Sequence, residues 1–263
     1  MQQEEQNHHS VFARTEINEE LRRAKQIQGM LLPSAIPLIE GAQLAFIYEP
    51  AFVLSGDFVD FYYRKSACEL GFFICDVSGH GIPAAIIAAM TKMSMHLWGD
   101  YLKEPAGTLQ KISRQLSGKL GDEYLTAIMG YLDLKSGELI VSRAGHPPCY
   151  VLRQNAKRIE KILPEGSIIH ERIDNNLVEY KTTLERGDLI FLYTDGLTEY
   201  LDSQGNSLGD HGLEKALQDV TEKNPEKLCA QIFSDHVGSR IGDSSPLLDD
   251  ITLFAIRFTG QGG

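Results

Sequence analysis

Residues 69–81 read ELGFFICDVSGHG. The stretch 69–76 is rich in aromatic and apolar residues and reads as a strand. No polar residue interrupts it between Glu69 and Asp76, so the Asp76 carboxylate stands at the end of a sheet, beside the core. The chain then turns through Ser78, Gly79, His80 and Gly81 into a helix over 81–98. Pro83 falls in the first turn of that helix, where proline is tolerated because the N–H it lacks has no intrahelical partner there.

Outward from this strand–turn–helix, 43–49 reads as a strand upstream, and a second helical segment follows over 108–120. Further strands are expected at 124–133, 138–143, 149–153, 178–184, 188–193 and 251–258, with a turn over 133–138 closing a hairpin. Helices are expected at 212–220 and 225–237, and the polar, Gly/Ser-rich stretch 238–248 reads as a mobile loop. Strands come in consecutive groups and helices in pairs. That order argues against alternating βαβ units and for an α+β fold with helices packed on antiparallel sheets. At the start, 1–15 shows no periodicity and reads as a disordered tail. Over 16–32, Ile17, Leu21, Ala24, Ile27 and Leu31 recur at helical spacing, and Pro33 ends the run. Such a narrow stripe can pack on its own domain or pair with a second copy.

Composition removes whole classes of function. With 36 acidic against 25 basic residues, a net charge of −11 and no basic run, the chain is poorly suited to nucleic acid or to an anionic membrane surface. The longest strongly apolar stretch, 82–90, is far short of the roughly 20 residues a membrane-spanning helix needs. The polar start MQQEEQNHHS does not read as a signal peptide. Four cysteines without CxxC spacing read as reduced residues of a cytoplasmic protein. No G-x-x-x-x-G-K-[ST] loop is present, which argues against a P-loop NTPase.

The chemistry gathers where aspartates meet tight turns at strand ends. Asp57 and Asp60 lie in 54–60, Asp76 in 74–81, Asp195 in 191–196, and Asp249 with Asp250 in 248–252. A partly buried carboxylate is costly unless it is paired or binds a cation, and converging carboxylates repel one another. No Lys or Arg interleaves with these motifs. An all-oxygen set suits hard ions such as Mg²⁺ or Mn²⁺, and glycines beside the acids would let carbonyls and waters approach. Taken singly, each of these motifs reads first as a plain turn; four of them, each at a strand end, are harder to dismiss. His80 and His146, both in turns, admit two roles, a proton donor near neutral pH or a hydrogen-bonded structural residue.

In order along the chain, the motifs resemble the bacterial SpoIIE/RsbU-like branch of the PPM (PP2C-type) serine/threonine phosphatases. Ala24, Ile27, Gln28, Leu31, Leu32 and Pro33 match A-x-x-I-Q-x-x-L-L-P, and Tyr48, Pro50 and Ala51 match Y-x-P-A. The stretch 55–60 matches G-G-D-F-Y-D, with Ser55 and Val59 as departures. The stretches 76–81, 144–148, 193–199 and 249–252 match D-V-S-G-H-G, A-G-H-P-P, Y-T-D-G-x-x-E and D-D-x-T.

The resemblance implies an αββα sandwich over 33–260 and a centre of two Mn²⁺ or Mg²⁺ ions. By motif position Asp57, Asp76, Asp195 and Asp249 would bind metal and Val77 would offer its backbone carbonyl. Asp60 and Asp250 are motif-matched with less defined roles. It further implies phosphoserine/phosphothreonine hydrolysis by metal-activated water, acting on a phosphorylated STAS-domain protein in a partner-switching pathway. The helix 16–32 would then join an upstream sensor domain and contribute to a homodimer. The alternative is a PPM-fold binding module with an inactive site, a pseudophosphatase.

Overall fold

The computed structural model describes residues 2–97, 101–156, 158–201, 205–238 and 247–260. Ten strands form two five-stranded antiparallel sheets. One sheet has the order β1 (Ala42–Glu49), β10 (Ile251–Phe258), β9 (Leu189–Tyr193), β6 (Cys149–Arg153), β7 (Arg158–Ile162). The other has the order β2 (Phe58–Arg64), β3 (Glu69–Val77), β4 (Leu125–Asp133), β5 (Glu138–Ala144), β8 (Glu179–Thr183).

The two sheets pack face to face over Phe72, Ile74, Ile128, Val141, Ile190, Leu192, Phe254 and Ile256. Helices α2 (Ile82–Leu97) and α3 (Pro105–Leu116) cover the outer face of the β2–β8 sheet, where Phe73, Cys75 and Val77 meet Ala84, Ala88, Leu109 and Ile112. Helices α5 (Gly209–Asp219) and α6 (Pro225–Phe233) cover the other sheet, where Phe191, Tyr193 and Leu253 meet Leu213, Leu217, Leu228 and Ile232. The layering is therefore helix–sheet–sheet–helix. Strand β3 alternates in the usual way, Phe72 and Ile74 inward and Phe73, Cys75 and Val77 outward. Because both faces are covered, its sequence reads as one continuous apolar run.

Local chemistry sets the element ends. Pro105 and Pro225 stand at the first positions of α3 and α6, and the Asn224 side chain caps α6 by accepting from Lys227 N at 3.1 Å. The 133–138 turn forms as expected: Asp133 Oδ1 accepts from the N–H groups of Lys135 and Ser136, and Gly137 N donates to Asp133 O.

The structure differs from the sequence expectation in several places. Helix α1 (Gln2–Gly29) begins well before residue 16 and ends before 32. Residues 2–15, read above as a tail, hold no Gly or Pro and are rich in Gln and Glu, good helix formers without the apolar period that marks a helix in sequence. Strands β2 and β7 and the short helix α4 (Gly196–Glu199) were not expected as elements. The segment expected as one helix over 225–237 is α6 followed by a π-helical turn, Ser234–Gly238. The loop expected over 238–248 lies mostly outside the described residues.

Phe254 is wholly buried on β10, an inner strand of its sheet, facing the opposite sheet. Phe254→Ala should lower unfolding stability by about 3–5 kcal/mol, read from urea titration. A loss under about 1 kcal/mol would contradict a close-packed inter-sheet core.

Candidate metal centre

Each sheet delivers two aspartates to the same end of the sandwich. Asp57 immediately precedes β2, and Asp76 is the second-last residue of its partner β3, where Phe58 pairs with Cys75. Asp195 follows β9, and Asp249 precedes β10, where Leu253 pairs with Tyr193. In an antiparallel pair the end of one strand lies beside the start of the next. The 19 and 54 residues separating Asp57 from Asp76 and Asp195 from Asp249 are thereby bridged, and the packing of the two sheets spans the 119 between Asp76 and Asp195.

Asp57 is buried and ties the two sheets together. Its Oδ2 accepts from Thr194 Oγ1 at 2.8 Å and from Thr252 Oγ1 at 2.6 Å. Thr252 N in turn donates to Thr194 Oγ1 at 2.9 Å, and Thr194 N donates to Thr252 O. The Asp57 N–H donates to Ser55 Oγ at 3.0 Å, so the serine that stands in place of a glycine is used as a local acceptor.

The electrostatics are those of crowded anions. Burial, then the charges of Asp195, Asp249, Asp250 and Glu199, push the Asp76 carboxyl up to about 8. Burial first, and the charge of Asp76 next, raise Asp57 well above the usual carboxylate range, while the Thr252 and Thr194 hydroxyls pull it back. Asp195 is raised by burial and then by Glu199, with the Gly196 N–H opposing. Asp249 is raised chiefly by burial; the Asp250 N–H opposes, Asp195 and Asp250 add to the rise, and His80 lowers it.

The remaining sequence candidates separate from this group. The Asp250 carboxylate is used by the chain itself: Oδ1 accepts from Ala51 N at 2.8 Å and Oδ2 from Gly56 N at 2.9 Å. Asp60 on β2 pairs with Lys92 of α2, both largely buried, and so fastens that helix to the sheet. His146 is buried, shares a 2.8 Å hydrogen bond with Thr126 Oγ1, and is held neutral with a pKa lowered to about 3, mainly by burial. Thr126 faces Asp76 across the β3–β4 pairing, which places His146 behind the carboxylates. His80 is exposed, and its ring stacks on Phe52 at 4.5 Å.

Two glycines are required by close approach. A Cβ on Gly56 would stand 2.7 Å from the Val77 carbonyl oxygen, and one on Gly196 would stand 2.1 Å from Asp250 O. The first leaves the Val77 carbonyl room at the centre; the second lets the Asp195 turn close against the Asp249–Asp250 turn.

Other residues act here that were not assigned to the site from sequence. Thr194, Thr252 and Glu199 sit inside the quoted motifs, which was the available signal. Gln28 at the end of α1 clamps Ser55 in both directions: Nε2 donates to Ser55 O at 2.7 Å, and Oε1 accepts from Ser55 N at 3.1 Å. Ser78 Oγ donates to Glu123 Oε2 at 2.5 Å and accepts from Tyr124 N at 2.9 Å, pinning the turn after Asp76.

Among the described residues, no three His, Cys, Asp or Glu side chains close into a ready-made metal shell. The donor set nonetheless fits Mg²⁺ or Mn²⁺: it is all oxygen, anionic and, among the described residues, without a paired Lys or Arg, and such ions keep several waters rather than needing a complete protein cage.

A helix–sheet–sheet–helix fold with carboxylates at one end of the seam defines a PP2C-type domain. The SiaA-PP2C domain of Pseudomonas aeruginosa matches with a TM-score of 0.80 at 20% identity, over 94% of this chain and 98% of that one. The structure of the RsbU and RsbW domains of Rv1364c from Mycobacterium tuberculosis matches at 0.75 and 22%, over 89% and 64%. At these identities the likeness is one of fold. The family model described as Stage II sporulation protein E (SpoIIE) matches residues 67–259, and the chain belongs to the SpoIIE family. Its relatives include phosphoserine phosphatase RsbU of Bacillus subtilis (strain 168), 26% identical over 92% of this chain and 71% of that protein. Phosphoserine phosphatase RsbP of the same organism is 29% identical over 68% of this chain and 45% of that protein.

Without metal, these raised carboxyls hold protons more tightly folded than unfolded. Their contribution is fullest below the unfolded value of 3.8 and is lost as pH rises toward about 8 for Asp76. Asp76→Asn removes one charge from the cluster. In chelator at pH 8 its Tm should exceed that of the unsubstituted protein by about 3 °C for each 1 kcal/mol of repulsion relieved. Mn²⁺ should raise the Tm of the unsubstituted protein and leave that of the variant nearly unmoved. A variant Tm below that of the unsubstituted protein in chelator would count against crowded charge.

Proposed function

We propose that this chain is a metal-dependent phosphoserine/phosphothreonine protein phosphatase. One observation carries the reading: Asp57, Asp76, Asp195 and Asp249 are gathered from two sheets, and among the described residues no Lys or Arg pairs with them. A fold does not hold such a set together for stability alone.

Asp57, Asp76, Asp195 and Asp249, with the Val77 carbonyl, would hold two Mn²⁺ or Mg²⁺ ions. When bound, these ions supply an activated water and neutralise charge on the phosphoryl oxygens. The protein's own part is positioning. Thr194 and Thr252 orient Asp57 through its Oδ2. Asp250 fixes the loop that leads into Asp57, and Ser78 with Glu123 fixes the turn that follows Asp76 and Val77. Preorganisation of this kind leaves little rearrangement to be made during the reaction.

Family membership and the named relatives support a phosphorylated regulator protein as substrate, of the STAS type used in partner switching. The long α1, with Ile17 and Ile27 exposed on it, supports a role for 16–32 as a linker that joins a sensor domain or a second copy. Among the described residues no helix is long and apolar enough to cross a membrane.

In Mn²⁺ the chain should release phosphate from p-nitrophenyl phosphate and from at least one member of a panel of phosphorylated STAS proteins. Asp195→Asn should reduce both activities at least about 100-fold. Undiminished turnover by the variant would sink the metal-ligand assignment, and an inactive parent chain that binds no Mn²⁺ in calorimetry would favour the inactive binding module.

A further inference from the structure

The loop between β1 and Asp57 carries an apolar surface that the fold does not need. Over 51–56, Leu54 and Ser55 are buried, whereas Phe52 and Val53 are 44% and 41% exposed. The loop is anchored on both sides of that exposed pair. The Asp250 carboxylate receives Ala51 N before it and Gly56 N after it, and Gln28 clamps both backbone groups of Ser55. A surface loop free to relax would turn an aromatic ring inward; this one is held outward.

The Phe52 ring is also not isolated. The His80 ring stacks on it with centroids 4.5 Å apart and planes 21° from parallel. His80 belongs to the turn that leaves Asp76, and Ile82, 53% exposed, follows it at the start of α2. The stack therefore joins the two loops that carry Asp57 and Asp76, five and four residues from those carboxylates. An apolar shelf stands at the edge of the anionic centre, on rigid supports.

Charge narrows what can lie on it. Asp249 and Glu199 border the same centre, and Glu123 is bonded to Ser78 in the turn that carries His80. No Lys or Arg is among the side chains bonded to these loops that the hydrogen bonds above identify. An acidic residue next to the phosphoryl group would meet like charge and an aromatic face, whereas an apolar one would lose water against the ring.

On the footing of the phosphatase reading above, we propose that Phe52, stacked on His80, is a specificity-determining residue: it seats an apolar side chain adjacent to the phosphoserine of the protein substrate and disfavours an acidic one. The phosphoryl group is held by the metal centre; the shelf reads the residue beside it. Phe52 acts on which substrate is taken and takes no part in bond cleavage.

The test uses the full chain in Mn²⁺ and three phosphoserine peptides identical except that Leu, Ala or Glu flanks the phosphoserine on both sides. For the unsubstituted protein, kcat/KM should favour Leu over Ala by roughly tenfold, with Glu lowest. Phe52→Ala should bring the Leu-to-Ala ratio close to one, and Phe52→Leu should keep most of it. The ratio divides out any general loss of activity, so a merely structural role for Phe52 would leave it unchanged. A ratio near one in the unsubstituted protein, or an undiminished ratio in Phe52→Ala, overturns the shelf. Hydrolysis of p-nitrophenyl phosphate by the unsubstituted protein separates the two levels: its absence in Mn²⁺ brings down the phosphatase reading and the shelf with it, and its presence without discrimination brings down the shelf alone.

Discussion

The interaction on which this molecule turns is the bond pair at Asp57 Oδ2. One buried carboxylate oxygen from the β2 side accepts hydroxyls from Thr194 and Thr252, which belong to the opposite sheet. Buried hydrogen bonds of this kind are each worth about 0.5–1.5 kcal/mol, and about 1.5–3 when the carboxylate is ionised. They also fix a relation that the greasy inter-sheet core cannot, because apolar packing tolerates small shifts between sheets whereas hydroxyl-to-carboxylate geometry does not. Thr194 and Thr252 are held to one another by backbone and side chain alike, so the ends of β9 and β10 present both hydroxyls as a unit.

The same carboxylate lies in a neighbourhood that opposes its own charge. Four aspartates at two pairs of strand ends, with Asp250 and Glu199 nearby, raise one another's proton affinity. Electrostatics alone would favour a neutral asparagine at Asp76, Asp195 or Asp249. A fold that departs from its local preferences usually does so at its working site. Here the supporting bonds divide the labour: Asp250 spends its charge on backbone N–H groups, while the neighbours it repels remain available to bind a cation.

Much of this was legible in the sequence, for reasons that can be named. β3 and β9 are buried on both faces, so each appears as an unbroken apolar run, and an Asp at the end of such a run marks the end of an inner strand. β2 and β7 were missed because FVDFYYR and RIEKI carry charges on short strands that hide the apolar period. The pairing of Asp60 with Lys92, 32 residues away, has no local signature. Nor does the separation of Asp249 from Asp250: adjacent identical residues differ only in what the distant loop 51–56 offers them. Gln28 stood in a recognised motif, yet its grip on Ser55 is a tertiary fact that spacing cannot convey.

The position of β10 has a consequence for how the molecule comes into being. It is the final strand in the sequence but lies inside its sheet, between β1 and β9. Until residue 258 has left the ribosome, the first-made strand of that sheet has no neighbour, and Asp57 lacks one of its two hydroxyl partners. The nascent chain must therefore keep a slot open beside β1 until β10 is made, with the slow, non-local closure typical of such topologies. A chain lacking this strand would lose an inner member of a sheet, between β1 and β9, and not merely an edge.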